Sequence, residues 1–357
     1  MEVHQIMTGI NYGDAVGYDA ITIMGFLREN GFNSNIYAKY IHPKMNRYAR
    51  QLQEYEGDES NIIIYHFALA GEDVTDFVIN LPDTKILRYH NITPPEFFKK
   101  YDSNLEYLCS KGFKEIKEIY SCFHLGVGDS EFNRLELMRY GFTRTDVLPI
   151  CYDFHKLNGF QGKKIQDGHI NILFLGRVSP NKRFEDIIQI FYYYHKFINN
   201  NSKLYLVGNK QVSAYLEELE GLIYRLGLKD AVIFTGLVKD QDLMYYYSIA
   251  DIFLSMSEHE GFCVPLLEAM QAGVPIIAYD STAIPYTLGG SGVLVKKKNF
   301  QEIAELIHII VEDDDLRNRL IDGQKKRLAE FNRDVVTNKL LEIIDNLKNQ
   351  NSSIIGE

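Results

Sequence analysis

The sequence predicts an α/β protein of two parallel-sheet domains, and three observations carry that expectation. Short apolar runs alternate with longer amphipathic stretches through the first half, a polar stretch rich in Gly and Lys interrupts them, and the same alternation then restarts. In the first half, strands are expected over 2–7, 35–38, 61–67, 85–90 and 146–149. Helices are expected over 20–30, ended by Gly31, and over 131–140, ended by Gly141, because glycine suits the left-handed residue that closes a helix. The interruption at 158–164 reads as the linker. Beyond it, strands are expected over 171–175, 203–207, 231–235, 251–254 and 274–279. The apolar positions Val335, Val336, Leu340, Leu341, Ile344 and Leu347 have helical spacing and predict a helix over 334–348, followed by a frayed polar tail at 349–357. The domains are accordingly placed at 1–160 and 161–333, facing each other across a cleft beyond the carboxyl ends of their strands.

Bulk properties exclude several classes. The 357 residues are 46% hydrophobic and 24% charged, with a formal net charge of −10 and no long basic run, so nucleic acid is not the expected partner. Four cysteines, Cys109, Cys122, Cys151 and Cys263, show neither metal-ligand spacing nor disulfide density, which suits a reducing cytoplasmic compartment. The first residues lack a signal-peptide pattern, and no window approaches the ~20 apolar residues of a membrane span. Phe97-Phe98-Lys99-Lys100 hints at a peripheral contact with the inner membrane face, although a solvated helix end is the plainer reading.

The most informative segment runs from Glu260 to Glu268. Gly261 frees the backbone, and Pro265 suits a first helical position, so a helix is expected to begin there. The amides around Phe262, Cys263 and Val264 then form an anion seat, with Glu268 in the first turn and Glu260 on the preceding loop as acceptors for hydroxyls. A nucleotide sugar offers that combination of phosphate and hydroxyl groups. After the strand at 171–175, Gly176, Arg177 and Lys182 place two cations where a diphosphate leaving group needs neutralising. Gly208, Gly236 and Val238 lie where later strands end, and either base contacts or tight turns explain the glycines. Asp240 accepts from a guanine edge or caps the next helix, with the cap preferred.

In the first half, Gly13 and Asp14 form a glycine-bearing turn after the first strand. It lacks the third glycine of a dinucleotide fingerprint, and no G-x-x-x-x-G-K-[ST] occurs. His66 and His90 each close an expected strand and thereby become site candidates, His90 the stronger. The acids Glu312 to Asp315 are expected to cap and charge a helix start, and no metal site is expected anywhere. The tyrosine runs at 192–194 and 245–247 are expected as core and half-buried helix faces.

Together, Gly176-Arg177 with Lys182, Phe234-Thr235-Gly236, and the stretch from Glu260 to Ala272 resemble the retaining family 4 glycosyltransferases of the GT-B fold. Gly13-Asp14-Ala15 and Tyr89-His90-Asn91 resemble the more variable acceptor half of one branch. The resemblance implies two Rossmann-like β/α/β domains, with the C-terminal helix returning to the N-terminal, acceptor-binding domain. It implies that Arg177 and Lys182 bind the donor diphosphate, that the amides of Phe262, Cys263 and Val264 hold phosphate, and that Glu268 binds ribose. Glu260 would contact the migrating sugar, Gly13 would approach it, and His90 would line the reaction centre. The implied activity is transfer of a hexose, mannose or glucose in type, from a GDP- or UDP-linked donor to a glycan or lipid-linked acceptor in polysaccharide synthesis. Configuration would be kept, with neither a metal nor a cofactor. Two departures stand out: Cys263 sits where the family often has glycine, crowding the loop, and Tyr286 follows Pro285 where an acidic residue is common. Competing readings are a nucleotide-sugar epimerase, a phosphorylase, and a non-catalytic sugar-nucleotide binding subunit.

Overall fold

The computed structural model describes residues 1–151, 165–210 and 212–354. The expected linker at 158–164 lies outside them. The chain divides into two compact units, one formed by Met1–Pro94, Tyr107–Asp153 and Phe331–Glu357, the other by Pro95–Glu106 and Phe154–Glu330. The segment Pro95–Glu106, assigned by sequence to the first domain, therefore groups with the second. The reason is local: Lys100 and Tyr101 both bond Glu218, and the Tyr101 ring packs edge-on against Tyr215 at 5.2 Å.

In the first unit, strands β1 (Val3–Ile10), β2 (Ile36–Ile41), β3 (Ala49–Gln51), β4 (Ile62–Phe67), β5 (Thr84–Tyr89), β6 (Leu125–Gly128) and β7 (Thr145–Val147) form one parallel sheet in the order β3-β2-β1-β4-β5-β6-β7. Every residue of β4 and β5 is buried. Such runs mark strands covered on both faces, as parallel sheets require. Strand β3, strand β6 and the helix Ser103–Ile119 were absent from the sequence expectations. The helix Ala15–Glu29 begins five residues before its expected start because Gly17, Asp19 and Ala20 already lie on its buried face.

The C-terminal helix runs Arg333–Ile354, so the expected frayed tail is helical through its first residues. It packs within the first unit. Val336, Leu340, Ile343, Ile344 and Leu347 join Val3, Ile62, Ile64 and Ile86 of the sheet and Ile23, Phe26 and Leu27 of the helix Ala15–Glu29 in one core cluster.

In the second unit, β8 (Ile170–Leu175), β9 (Ser202–Val207), β10 (Val232–Gly236), β11 (Ile252–Ser255), β12 (Ile276–Tyr279) and β13 (Val293–Val295) give the order β10-β9-β8-β11-β12-β13. All pairings are parallel. The order reverses between β8 and β11, as it does between β1 and β4 in the first unit. At such a switch point the connections leave toward opposite sides, which opens a crevice at the strands' carboxyl ends. The acids at 312–315 behave as expected, with the Asp313 side chain accepting from the Leu316 amide as a helix cap. Among the described residues, no helix is long and apolar enough to cross a membrane.

Leu340 is 1% exposed within the shared cluster, so Leu340→Ala leaves a cavity that neighbouring elements cannot close. It is expected to destabilise the first unit by about 2–5 kcal/mol, read as a lower urea midpoint at unchanged slope.

Candidate functional site

The two loops that leave the second sheet at its switch point are those the sequence singled out. One follows β8 and carries Gly176, Arg177 and Lys182; the other follows β11 and carries Glu260 to Cys263. Lys182 sits in a one-turn 3-10 helix, Pro180–Lys182, begun by proline and closed by Arg183 in the left-handed conformation (φ 54°). Its Nζ lies 2.6 Å from Glu260 Oε2, and the two side chains are 14% and 9% exposed. Arg177 is exposed and has no hydrogen-bond or ion-pair partner among the described residues.

Asn181 holds the two loops together. Its backbone carbonyl accepts from the Glu258 amide at 2.9 Å, its Nδ2 donates to the His259 carbonyl at 3.0 Å, and its Oδ1 accepts from Ser179 at 2.7 Å. A second, charged tie runs beside it. Lys298 Nζ reaches Asp186 and Glu258, each at 2.7 Å, and Arg183 pairs with Glu185, Asp186 and Glu258. Sequence reading missed Asn181, Glu258 and Lys298. Their roles arise between loops more than 70 residues apart or from a lysine run after β13, where no local pattern announces them.

The helix expected at Pro265 begins one residue earlier, Val264–Ala272, with Cys263 as its cap residue and Pro265 in its first turn. Glu268 is therefore the fifth helical residue, and no acid falls in the first turn, contrary to expectation. Glu268 is 5% exposed and accepts from Tyr247 Oη at 2.9 Å. Tyr247, expected only as core, thus orients the carboxylate. Phe262 is buried, and its carbonyl accepts from Thr287 Oγ1 at 2.5 Å; Gly261 is half-buried beside it.

Cys263 adopts φ 74°, a conformation glycine takes freely and other residues take at a cost of about 1 kcal/mol. Its departure from glycine is thus paid in the backbone, and its buried thiol is pushed well above the usual range by burial and by nearby Glu260. Thr282, also at positive φ (45°), accepts the Glu260 amide at 2.9 Å. Arg183, Cys263 and Thr282 are the non-glycine residues of positive φ described in the second unit, and all three border the Lys182–Glu260 pair. Strain of this kind collects at functional sites, where surrounding structure holds it in place.

Gly208 has a local explanation. A Cβ there would lie 1.9 Å from the Gly176 carbonyl oxygen, and its φ of 149° is unfavourable to other residues, so the glycine serves the approach of two strand ends. Gly236 has φ 73° and open space at its Cβ position, and the half-buried Val238 follows it. The next helix starts at Asp240 with Lys239 in the cap position, so Asp240 is its first residue and not its cap.

In the first unit, Gly13 is exposed at φ 80°, and Asp14 heads the helix Ala15–Glu29 without a side-chain cap bond. His90 is buried with both ring nitrogens engaged, Nδ1 at 2.9 Å from Asp129 and Nε2 at 2.8 Å from His66. It offers no open nitrogen to an incoming group. Asp19, His66 and His90 bring ligand-type atoms within 4.8 Å of one another, but Asp19 is bound by Arg88 and the Cys151 amide, and His66 by His90 and Gln5. These partners fill the coordination a metal would need.

Residues 157–327 match the family Glycosyl transferases group 1. Among curated relatives, an uncharacterized glycosyltransferase of Methanocaldococcus jannaschii is 30% identical over 243 residues, 66% of this chain and 58% of that protein. The O-antigen chain mannosyltransferase B of Escherichia coli is 27% identical over 146 residues, 41% of this chain and 38% of that one. The chain thus spans less than two thirds of these relatives' length. Among solved structures, sucrose-phosphate synthase from Thermosynechococcus elongatus has a TM-score of 0.77 at 16% identity, covering 98% of this chain and 100% of its own. HepE of Anabaena in complex with UDP-glucose has a TM-score of 0.76 at 16% identity, covering 97% and 100%. The fold is GT-B, with two Rossmann-like units, and residues 157–327 are similar to glycosyl transferases group 1.

Burial holds the His66 ring neutral well below its usual titration, with neighbouring His90 and Arg88 adding to the effect. An unfolded His66 takes up a proton near 6.5, which the folded group refuses. Its contribution to stability is therefore full above that value and falls as pH drops through it. The urea midpoint is expected to fall on acidification from about pH 7 to about pH 5, and less steeply in His66→Gln.

Proposed function

We propose that this chain is a retaining glycosyltransferase that moves a hexose from a nucleotide diphosphate sugar to a hydroxyl of a glycan or lipid-linked acceptor. No metal is required in this reading. The observation that carries it is the assembly at the β8/β11 switch point: exposed Arg177, the sheltered Lys182–Glu260 pair, the helix start at Val264, and Glu268 held by Tyr247. Named relatives support the sugar-transfer class, and the UDP-glucose bound in HepE supports a nucleotide sugar as donor.

In this reading the departing diphosphate is stabilised by fixed charges. Lys182 is already held in place by Glu260, so it is oriented before the donor arrives, and Arg177 supplies a charge with no competing partner among the described residues. The amides of Cys263 and Val264 add the positive end of the helix, while Pro265, lacking an N–H, supplies none. Glu260 accepts from the transferred sugar and Glu268 from the ribose. The leaving phosphate takes the proton of the attacking hydroxyl on the same face, so configuration is kept and no separate base is needed.

The test is incubation with UDP-, GDP- and ADP-linked hexoses, with and without glycan and lipid-linked acceptors, in the presence of a chelator. Acceptor-dependent nucleotide release and an anomerically retained product are expected. Acceptor-independent sugar release or isomerisation, as in an epimerase, would sink the reading. Glu268→Ala is expected to raise the donor KM on the order of 10-fold by leaving ribose hydroxyls unpaired, and Arg177→Ala to lower kcat on the order of 100-fold. Near-normal steady-state kinetics in both variants would remove the site.

A further inference from the structure

A buried polar chain at the end of β5 has its protons ordered by hydrogen-bond geometry together with the burial of His66. His90 Nδ1 lies 2.9 Å from Asp129 Oδ2, His90 Nε2 lies 2.8 Å from His66 Nδ1, and His66 Nε2 lies 2.9 Å from Gln5 Oε1. Gln5 sets the direction of the chain. Its Nε2 donates to the Ala20 carbonyl at 2.9 Å, so the atom facing His66 is its oxygen, which only accepts. His66 Nε2 therefore carries a proton. Burial keeps the His66 ring neutral, so its Nδ1 is bare and accepts, and His90 Nε2 must donate to it. The remaining nitrogen, His90 Nδ1, faces a carboxylate oxygen. Two bare acceptors at that distance repel, so one further proton lies between them.

The surrounding charges decide which side holds it. Asp129 Oδ1 lies 3.1 Å from Arg88 Nη2, and Arg88 Nε lies 3.1 Å from Asp19, whose other oxygen accepts the Cys151 amide at 2.6 Å. Arg88 also donates to the carbonyls of Leu148 and Pro149. The groups converge from β1 (Gln5), the helix Ala15–Glu29 (Asp19), β4 (His66), β5 (Arg88) with the following His90, and the turn after β6 (Asp129). With Asp129 ionised and His90 cationic, two positive and two negative charges balance, and Arg88 keeps both of its anionic partners. A protonated Asp129 would also balance, but it would take one anion away from a fully buried guanidinium.

We infer that Gln5, His66 and Asp129 are positioning residues that hold His90 as a doubly protonated ring, with no lone pair on either nitrogen. The ring then cannot serve as a general base. What it presents at the end of β5 is a fixed orientation and a hydrogen-bonded positive charge. The turn that follows is fixed as well, with Asn91 at φ 75° and its Nδ2 donating to Asn133 and Glu136. The catalytic consequence rests on the transferase reading; the proton assignment does not.

Nitrogen-15 NMR of the whole protein at neutral pH tests the assignment directly, with His66→Gln and His90→Gln used only to assign resonances. Both His90 nitrogens are expected in the N–H range, with His66 bare at Nδ1 and protonated at Nε2. A bare His90 Nδ1 would overturn the inference. In Asp129→Asn the amide donates to Nδ1, so the ring is expected to become neutral. With the donor and acceptor found active, kcat of this variant is expected to fall on the order of 10-fold at unchanged donor KM. An unchanged kcat would overturn the positioning role. The NMR pattern without any transferase activity would uphold the proton assignment and sink the proposed function instead.

Discussion

The second unit depends on one junction, where the loop after β8 and the loop after β11 part at the switch point and are tied again across it. Parallel strands end with their carbonyls and loops on the same edge, and a reversal of strand order leaves that edge without a bridging connection. Asn181 supplies the bridge through its side-chain amide and its own carbonyl, so the joint is largely made of hydrogen bonds to backbone. Lys182, the next residue, inherits that rigidity. Its pairing with Glu260 is then less a source of stability than a result of two loops already held together, since desolvating both ions offsets much of their attraction.

Strain follows the same geography. Glu72, Asn91, Arg183, Cys263 and Thr282, the described non-glycine residues with positive φ, all lie in turns beyond the carboxyl ends of strands. Each such residue raises the energy of the fold by about 1 kcal/mol or more, so neighbouring contacts must over-determine it. For Thr282 that contact is the Glu260 amide, and for Arg183 it is a set of three carboxylates. Glycine at position 263 would lower the backbone cost but surrender a buried side chain.

How much of this was legible in the sequence depends on distance along the chain. Strands with continuous apolar runs, such as β4, β5 and β8, announce themselves, and so does Gly141, which closes its helix at φ 108°. Short edge strands do not. β3 and β13 have three residues each and half-exposed faces, too few to set a period, whereas β7, equally short, falls on the strand expected over 146–149. Glu260, Lys182 and Arg177 were visible because a glycine, a proline and a strand end fix their local setting. Asn181, Tyr247 and Asp129 were not, because each acts on a residue brought near only by folding. The placement of Glu268 in a first turn failed for a smaller reason: Pro265 is tolerated anywhere in the first turn, so it marks a helix start only to within a residue.

The two units treat their polar groups in opposite ways. In the first, Asp19, Arg88, Asp129, His66 and His90 are paired with one another, so a ligand competing for them would have to break buried ion pairs and hydrogen bonds. In the second, Arg177 stands exposed and without a partner among the described residues while Lys182 is sheltered, and the next helix opens with a strained cap. An anion arriving there displaces water from Arg177 and meets a lysine already oriented, so little ordering remains to oppose binding. In the proposed transferase reading, that asymmetry assigns recognition of the charged donor to the second unit.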